Sequence, residues 1–274
     1  MGDYLRPVSL DEALVALARP WTVLAGGTDF YPARVGRAID ENVLDITGIA
    51  ALRGISAGPA GWRLGATTTW AELIDTRLPP LFDGLNQAAR EVGGRQIQNA
   101  GTVAGNVCNA SPAADGVPPL LALDAKVELA GRAGMRRLPL SEFITGNRRT
   151  VLAPGELLVA IHVPKPAYDA RSAFLKLGAR RYLVISIAMA AVTLEIEHER
   201  VVSARIAVGA CSAVAQRLPA LEAALAGAPV TALADRVDAA HLTPLSPIDD
   251  VRGSAAYRRD AVVTLLRRLL RSFA

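Results

Sequence analysis

Apolar positions recur at a helical period through residues 9–18 (SLDEALVALA), and Ser9 followed three residues later by Glu12 predicts a helix opened by a capping box. Short apolar runs at Trp21–Leu24 and Asn42–Ile46 predict strands, which with that helix make a small βαβ-like unit ending near Ile55. After the Gly58-Pro59-Ala60-Gly61 turn the pattern predicts a strand over Trp62–Thr67 and a helix over Thr69–Leu73. A second helix over Leu81–Val92 and strands at Ala125–Leu129 and Leu157–Val163 follow, with Pro139–Phe143 in a connection. Pro164 and Pro166 mark a boundary. Beyond it, alternating and β-branched apolar runs predict strands at Ala173–Leu177, Ser186–Ile196 and Ala204–Gly209. Helices are predicted at Leu218–Leu225, Val230–Ala240 and Ala255–Phe273. The expected fold class is α+β, ending in a separate unit with an antiparallel sheet beside a helical group.

Composition narrows the class. The 274 residues are 51% hydrophobic and 20% charged, a globular balance with room for two compact units. No uninterrupted apolar run reaches the length of a membrane span, and the first 18 residues lack the basic start and apolar block of a secretory signal, so a cytoplasmic address is expected. Cys108 and Cys211 are far apart, and His162, His198 and His241 are scattered, so no metal site is assigned. Much of the net charge of +4 comes from Arg258, Arg259, Arg267, Arg268 and Arg271. These alternate with Val262, Leu265, Leu266, Leu269 and Phe273 as in an amphipathic helix with its arginines in water. No aromatic residues interleave them, which argues against a nucleic-acid footprint.

The chemistry concentrates in two glycine-bearing segments. Residues 25–29 (Ala-Gly-Gly-Thr-Asp) follow the first predicted strand, and residues 99–119 combine Gly101 and Gly105 with Thr102, Asn106, Asn109, Pro112, Pro118 and Pro119 in what reads as a loop built around a ligand. Each alone is also compatible with an ordinary tight turn. Neither is a G-x-G-x-x-G fingerprint or a P-loop, and no nucleophile elbow or nucleophilic pair stands out. What remains is the binding of a polar, phosphorylated cofactor through backbone amides, with the reactive chemistry residing in the cofactor.

The segments AGGTDFYPAR (25–34) and NAGTVAGNVCNASPAADGVPPLLALDAKVEL (99–129) closely resemble those of the FAD-binding medium subunits of the molybdenum hydroxylase family, which includes xanthine, carbon monoxide, nicotine and aldehyde dehydrogenases. The resemblance continues through YLRPVSLDEALVALA, RLGATTTWAEL, ELLVAIHVP and FLKLGARRYLVISIAMAAV to the final basic helix. It implies a vanillyl-alcohol-oxidase-type (PCMH-type) FAD-binding domain over residues 1–167, with subdomains of about 1–55 and 56–167, and a C-terminal flavoprotein domain over 168–274. It also implies non-covalent FAD, which takes electrons from the 2Fe-2S clusters of a small partner subunit and passes them to NAD+, oxygen or another acceptor, while a large molybdopterin subunit acts on the substrate.

By motif, Leu24, Ala25, Gly26, Gly27, Thr28, Asp29 and Phe30 would line one side of the cofactor, and Gly101, Thr102, Val103, Ala104, Gly105 and Asn106 the other. A bulky residue at Gly105 would then block flavin loading and leave the fold intact. Asp115 matches a family aspartate that contacts the nucleotide, the alternative being a loop cap. Lys176 matches a family lysine near the flavin, the alternative being a strand lysine facing solvent, and Leu158 is a candidate apolar contact. Two departures stand out. Two distant cysteines cannot hold the additional cluster that some relatives carry, and the run Arg180-Arg181-Tyr182 replaces an acidic residue that many relatives show. Tyr182 is placed either over the flavin ring or in packing. Other readings left open are a stand-alone flavin oxidase of the same broad fold and a non-catalytic nucleotide-binding module.

Overall fold

A short parallel sheet opens the chain. Tyr4–Leu5 (β1) leads into helix α1 (Leu10–Ala16), then Thr22–Leu24 (β2) and Val43–Asp45 (β3), and β3 lies between the other two, parallel to both. Parallel strands need a crossover, which α1 supplies between β1 and β2. The predicted capping box is half met: Ser9 Oγ accepts the Glu12 N–H (3.2 Å), while the Glu12 carboxylate accepts from Val8 N (3.0 Å), one residue earlier than the motif requires. The computed structural model describes residues 2–181 and 183–274, so the reading of Tyr182 lies outside the described residues.

An antiparallel five-stranded sheet follows. Ile55–Gly58 (β4) and Gly61–Gly65 (β5) form its first hairpin, and α2 (Trp70–Asp75) starts at a complete Thr69/Glu72 capping box. The helix predicted at Leu81–Val92 begins as a 3-10 turn and continues as α3 (Asp83–Glu91). The stretch read as a loop, residues 99–119, is partly helical: it takes in the end of α4 (Arg95–Ala100), all of α5 (Val103–Asn109) and the start of α6 (Val117–Ala122), with residues 110–116 as a non-helical connection. Thr102 caps α5 by accepting the Gly105 N–H (3.0 Å), and Pro118 and Pro119 sit in the first turn of α6, where no intrahelical N–H bond is lost.

Lys126–Gly131 (β6) and Gly134–Pro139 (β7) form the next hairpin, and the expected connection carries α7 (Leu140–Phe143). The hairpin Ile144–Gly146 (β8) and Arg149–Thr150 (β9) precedes Leu157–Pro164 (β10), which completes the sheet in the order β4-β5-β10-β6-β7. A bulge interrupts the β10–β6 register between Leu158 and Ala160.

Four antiparallel strands, β11 (Asp169–Leu177), β12 (Ala188–Glu197), β13 (Arg200–Gly209) and β14 (Gln216–Arg217), form a second sheet in sequence order. Helix α8 (Pro219–Leu225) and the long C-terminal helix α9 (Ala255–Arg271) complete the chain. The alternation of β12 divides its side chains between two apolar cores: Met189 and Ala191 join the core of the N-terminal elements, while Ala188, Ala190, Val192 and Leu194 join the core under α8 and α9. The C-terminal sheet is therefore packed on both faces.

Two expectations fail here. The helix predicted over Val230–Ala240 is three separate 3-10 turns (Val230–Ala232, Ala234–Arg236, Ala239–Leu242), because Val237 and Asp238 are extended and the Asp238 carboxylate caps the last turn through Ala240 N (2.7 Å). Nor do the arginines of α9 all face water. Arg258 is buried and donates to the Ile187 and Ala210 carbonyls and to Asp250, Arg259 donates to Leu245 O (2.7 Å), and Arg267 donates to Val237 O (3.0 Å). The turns leave carbonyls without helical partners, and these guanidinium groups satisfy several of them. Among the described residues no helix is long and apolar enough to cross a membrane.

Candidate functional site

The end of β2 and the starts of α2 and α5 meet at one place. Gly26 lies directly on the backbone between α4 and α5, so close that a Cβ there would fall 2.0 Å from Ala100 O. Only glycine permits that approach, and it turns two distant sequence motifs into one site. At Gly27 the backbone is left-handed (φ 71°) and a Cβ would meet the Tyr31 ring at 2.6 Å. Trp70, buried, stands against the second segment, its backbone N–H bonded to Gly101 O (3.1 Å).

A cavity of about 700 Å³ opens between these segments, within the usual range for small-ligand and cofactor sites. It is lined by Leu24, Ala25, Gly26, Gly27, Thr28, Asp29 and Phe30 on one side and by Gly101, Thr102, Ala104, Gly105 and Asn106 on the other. Leu158 lines it together with Leu157, just ahead of the bulge in β10. The Val103 side chain points into the core instead.

The two segments are not equivalent in what they offer. Among the described residues, the backbone N–H groups of Gly26, Gly27, Thr28 and Asp29 have no intramolecular acceptor, four consecutive donors at the cavity wall. At the second segment Val103 N donates to Thr68 O (3.0 Å), Gly105 N to Thr102 Oγ1 and Asn106 N to Thr102 O (3.1 Å). A Cβ on Gly105 would come 2.7 Å from Thr102 Oγ1, so a bulky residue there disturbs the cap of α5 as well as the cavity. The expectation that such a change spares the local fold therefore lacks the room it needs.

Asp115 and Lys176 do not line the cavity; they face each other beside it. Lys176 Nζ lies 2.6 Å from Asp115 Oδ2, with the two side chains 5% and 9% exposed, and Ser186 Oγ donates to Asp115 Oδ1 at 2.6 Å. Burial pushes the Asp115 carboxyl above the usual carboxylate range, and the Lys176 ammonium and the Ser186 hydroxyl oppose that push. The solvent-facing alternative does not hold for Lys176, which is buried against Asp115 beside the cavity lining. The cluster fastens β11 and the segment before β12 to the loop between α5 and α6, and that segment lines the cavity through Val184 and Ile185.

Sequence reasoning missed several lining groups. Arg34 stacks on Phe30 (3.7 Å to the ring centroid), donates to Phe30 O and pairs with Glu41. Arg148 enters from the turn of the β8–β9 hairpin and Cys108 from α5. For Arg34 the helical spacing after Phe30 was a usable signal; Arg148 carried none.

Residues 1–166 match the family described as the FAD binding domain in molybdopterin dehydrogenase. The chain belongs to this family. Residues 173–273 match the carbon monoxide dehydrogenase flavoprotein C-terminal domain. Among relatives of this flavoprotein family, the putative xanthine dehydrogenase FAD-binding subunit of Escherichia coli (strain K12) is 30% identical over 98% of this chain and 94% of its own length. The carbon monoxide dehydrogenase medium chain of Afipia carboxidovorans is 32% identical over 97% and 94%. The solved structure of reconstituted carbon monoxide dehydrogenase from Oligotropha carboxidovorans superposes with a TM-score of 0.90 at 28% identity, covering 100% of this chain and 99% of that one. The chain is accordingly an FAD-binding oxidoreductase subunit of the molybdenum hydroxylase type, and its α+β fold with a C-terminal antiparallel sheet is the fold of those medium chains.

Proposed function

We propose that the cavity between the 25–30 and 101–106 segments holds non-covalently bound FAD, and that the chain is the flavin station of a complex with a small 2Fe-2S subunit and a large molybdopterin subunit. The four unbonded N–H groups from Gly26 to Asp29 carry this reading, because consecutive amide donors in a concave turn suit a diphosphate and no lysine is needed there. Bound FAD supplies reversible redox chemistry that accepts electrons from iron–sulfur clusters and delivers them to NAD+, oxygen or another acceptor. The chain's own residues place and enclose it. Gly26 and Gly27 admit the ligand to backbone distance, Leu157, Leu158 and Ile46 offer apolar surface, and Thr28, Asn106 and Ser111 offer side-chain hydrogen bonds. The Asp115–Lys176–Ser186 cluster acts indirectly, by holding the wall that carries Val184 and Ile185.

Co-expression with a small 2Fe-2S subunit and a large molybdopterin subunit tests the assignment. Substrate added anaerobically to the assembled complex is expected to bleach the flavin absorbance, and the acceptor to restore it. A complex that turns over while its flavin stays oxidised would refute the electron path.

A further inference from the structure

Two guanidinium groups line the cavity, and their commitments differ. Arg34 is spent: it pairs with Glu41, donates to Phe30 O and stacks on the Phe30 ring. Arg148 is exposed at the hairpin turn, and its one polar side-chain partner among the described residues is Asn109, whose Oδ1 accepts an N–H from Nη1. No carboxylate among the described residues pairs with it. The Nε and Nη2 edge, where two parallel N–H donors fork toward an oxyanion, has no partner among the described residues.

Its position is held by the fold. Arg148 adopts a left-handed backbone (φ 53°) between β8 and β9, and its own N–H donates to Ala110 O (2.8 Å), the left-handed residue that ends α5. The hairpin turn is thereby fastened to the end of the helix that begins at the second glycine segment. An arginine anchored at its backbone and at one terminal nitrogen has lost much of the freedom that binding would otherwise cost.

We propose that Arg148 is a further cofactor-binding residue, its free guanidinium edge taking phosphate oxygens of a dinucleotide diphosphate. This rests on the reading that the cavity holds FAD, whose diphosphate is its anionic part at neutral pH, while the oxidised ring system and the adenine are uncharged. A nicotinamide dinucleotide acceptor carries the same diphosphate, so the test separates the two sources.

The experiment uses the full chain stripped of flavin, with FAD titrated by fluorescence and ADP as competitor, on the wild type, Arg148→Gln and Arg148→Lys. The expected result is a ten- to hundredfold loss of FAD affinity in Arg148→Gln, a matching loss of ADP competition, and partial recovery in Arg148→Lys, with unchanged thermal unfolding of the flavin-free proteins. The FAD loss should shrink in high salt, as expected for an exposed cation. Arg148→Gln binding FAD as tightly as the wild type overturns the proposal, including the case in which only the affinity for NAD+ falls. A wild-type chain that binds neither FAD nor ADP defeats the cavity reading itself, an outcome distinct from a wild type that binds FAD and a variant that binds it equally well.

Discussion

Replacing Lys176 with methionine isolates the buried cluster beside the cavity. At 2.6 Å and an effective dielectric constant of about 20, the attraction between Lys176 and Asp115 is roughly 6 kcal/mol before desolvation. Most of that offsets the cost of burying both groups, but removal of one partner leaves the Asp115 charge with Ser186 alone, a loss of about 3–5 kcal/mol. Against a total stability of about 5–15 kcal/mol this is a large fraction, equivalent to roughly 10 °C in Tm. Without Lys176 the Asp115 carboxyl titrates still higher in the folded protein than its ordinary 3.8, so the folded state holds its proton where the unfolded state has released it. The variant's deficit should then shrink as pH is lowered from neutrality toward 4. Urea unfolding of the flavin-free chain across that range, with Asp115→Asn and the double variant Asp115→Asn/Lys176→Met, measures both the pH dependence and the coupling. A deficit that is constant with pH, or single losses that simply add, would refute the buried-pair argument.

Other consequences are more local. Gly26→Ala must push the two backbones apart by about 1 Å to relieve the contact with Ala100 O, and is expected to lower stability by about 1–3 kcal/mol and FAD affinity at least tenfold; unchanged FAD binding in a titration would contradict the role of this contact. Burial raises the Glu128 carboxyl, but the hydrogen bonds with His162 and Arg137 hold it below its ordinary 4.5, so its stabilisation is complete above that pH and is lost as pH falls through the lower folded value. Glu128→Gln should flatten this acid limb in urea midpoints measured from about pH 6 downward. A limb as steep as in the wild type would count against the assignment.

What the sequence made legible follows from the range of the physics involved. The turn at Gly26–Asp29 is encoded in adjacent residues, and Ser9 is an N-cap whose effect is spent within one helical turn. The short helices α4 to α6 were hidden because glycine, asparagine and proline weaken local propensity while tertiary packing holds the turns. Lys176 and Asp115 are 61 positions apart, and no local pattern says that a strand lysine turns inward onto a loop aspartate. Arg258 looked like a solvated helix face because a helical pattern does not reveal that turns on both sides cover it. The bulge after Leu158 and the shared cavity of Leu157 and Leu158 are equally silent in an unbroken apolar run.

The most direct test of the central claim is the visible absorption spectrum of the purified full chain, followed by heat release of the chromophore and its chromatographic identification. The account predicts one FAD per chain, released intact because it is not covalently held. A colourless chain that also fails to take up added FAD would contradict it.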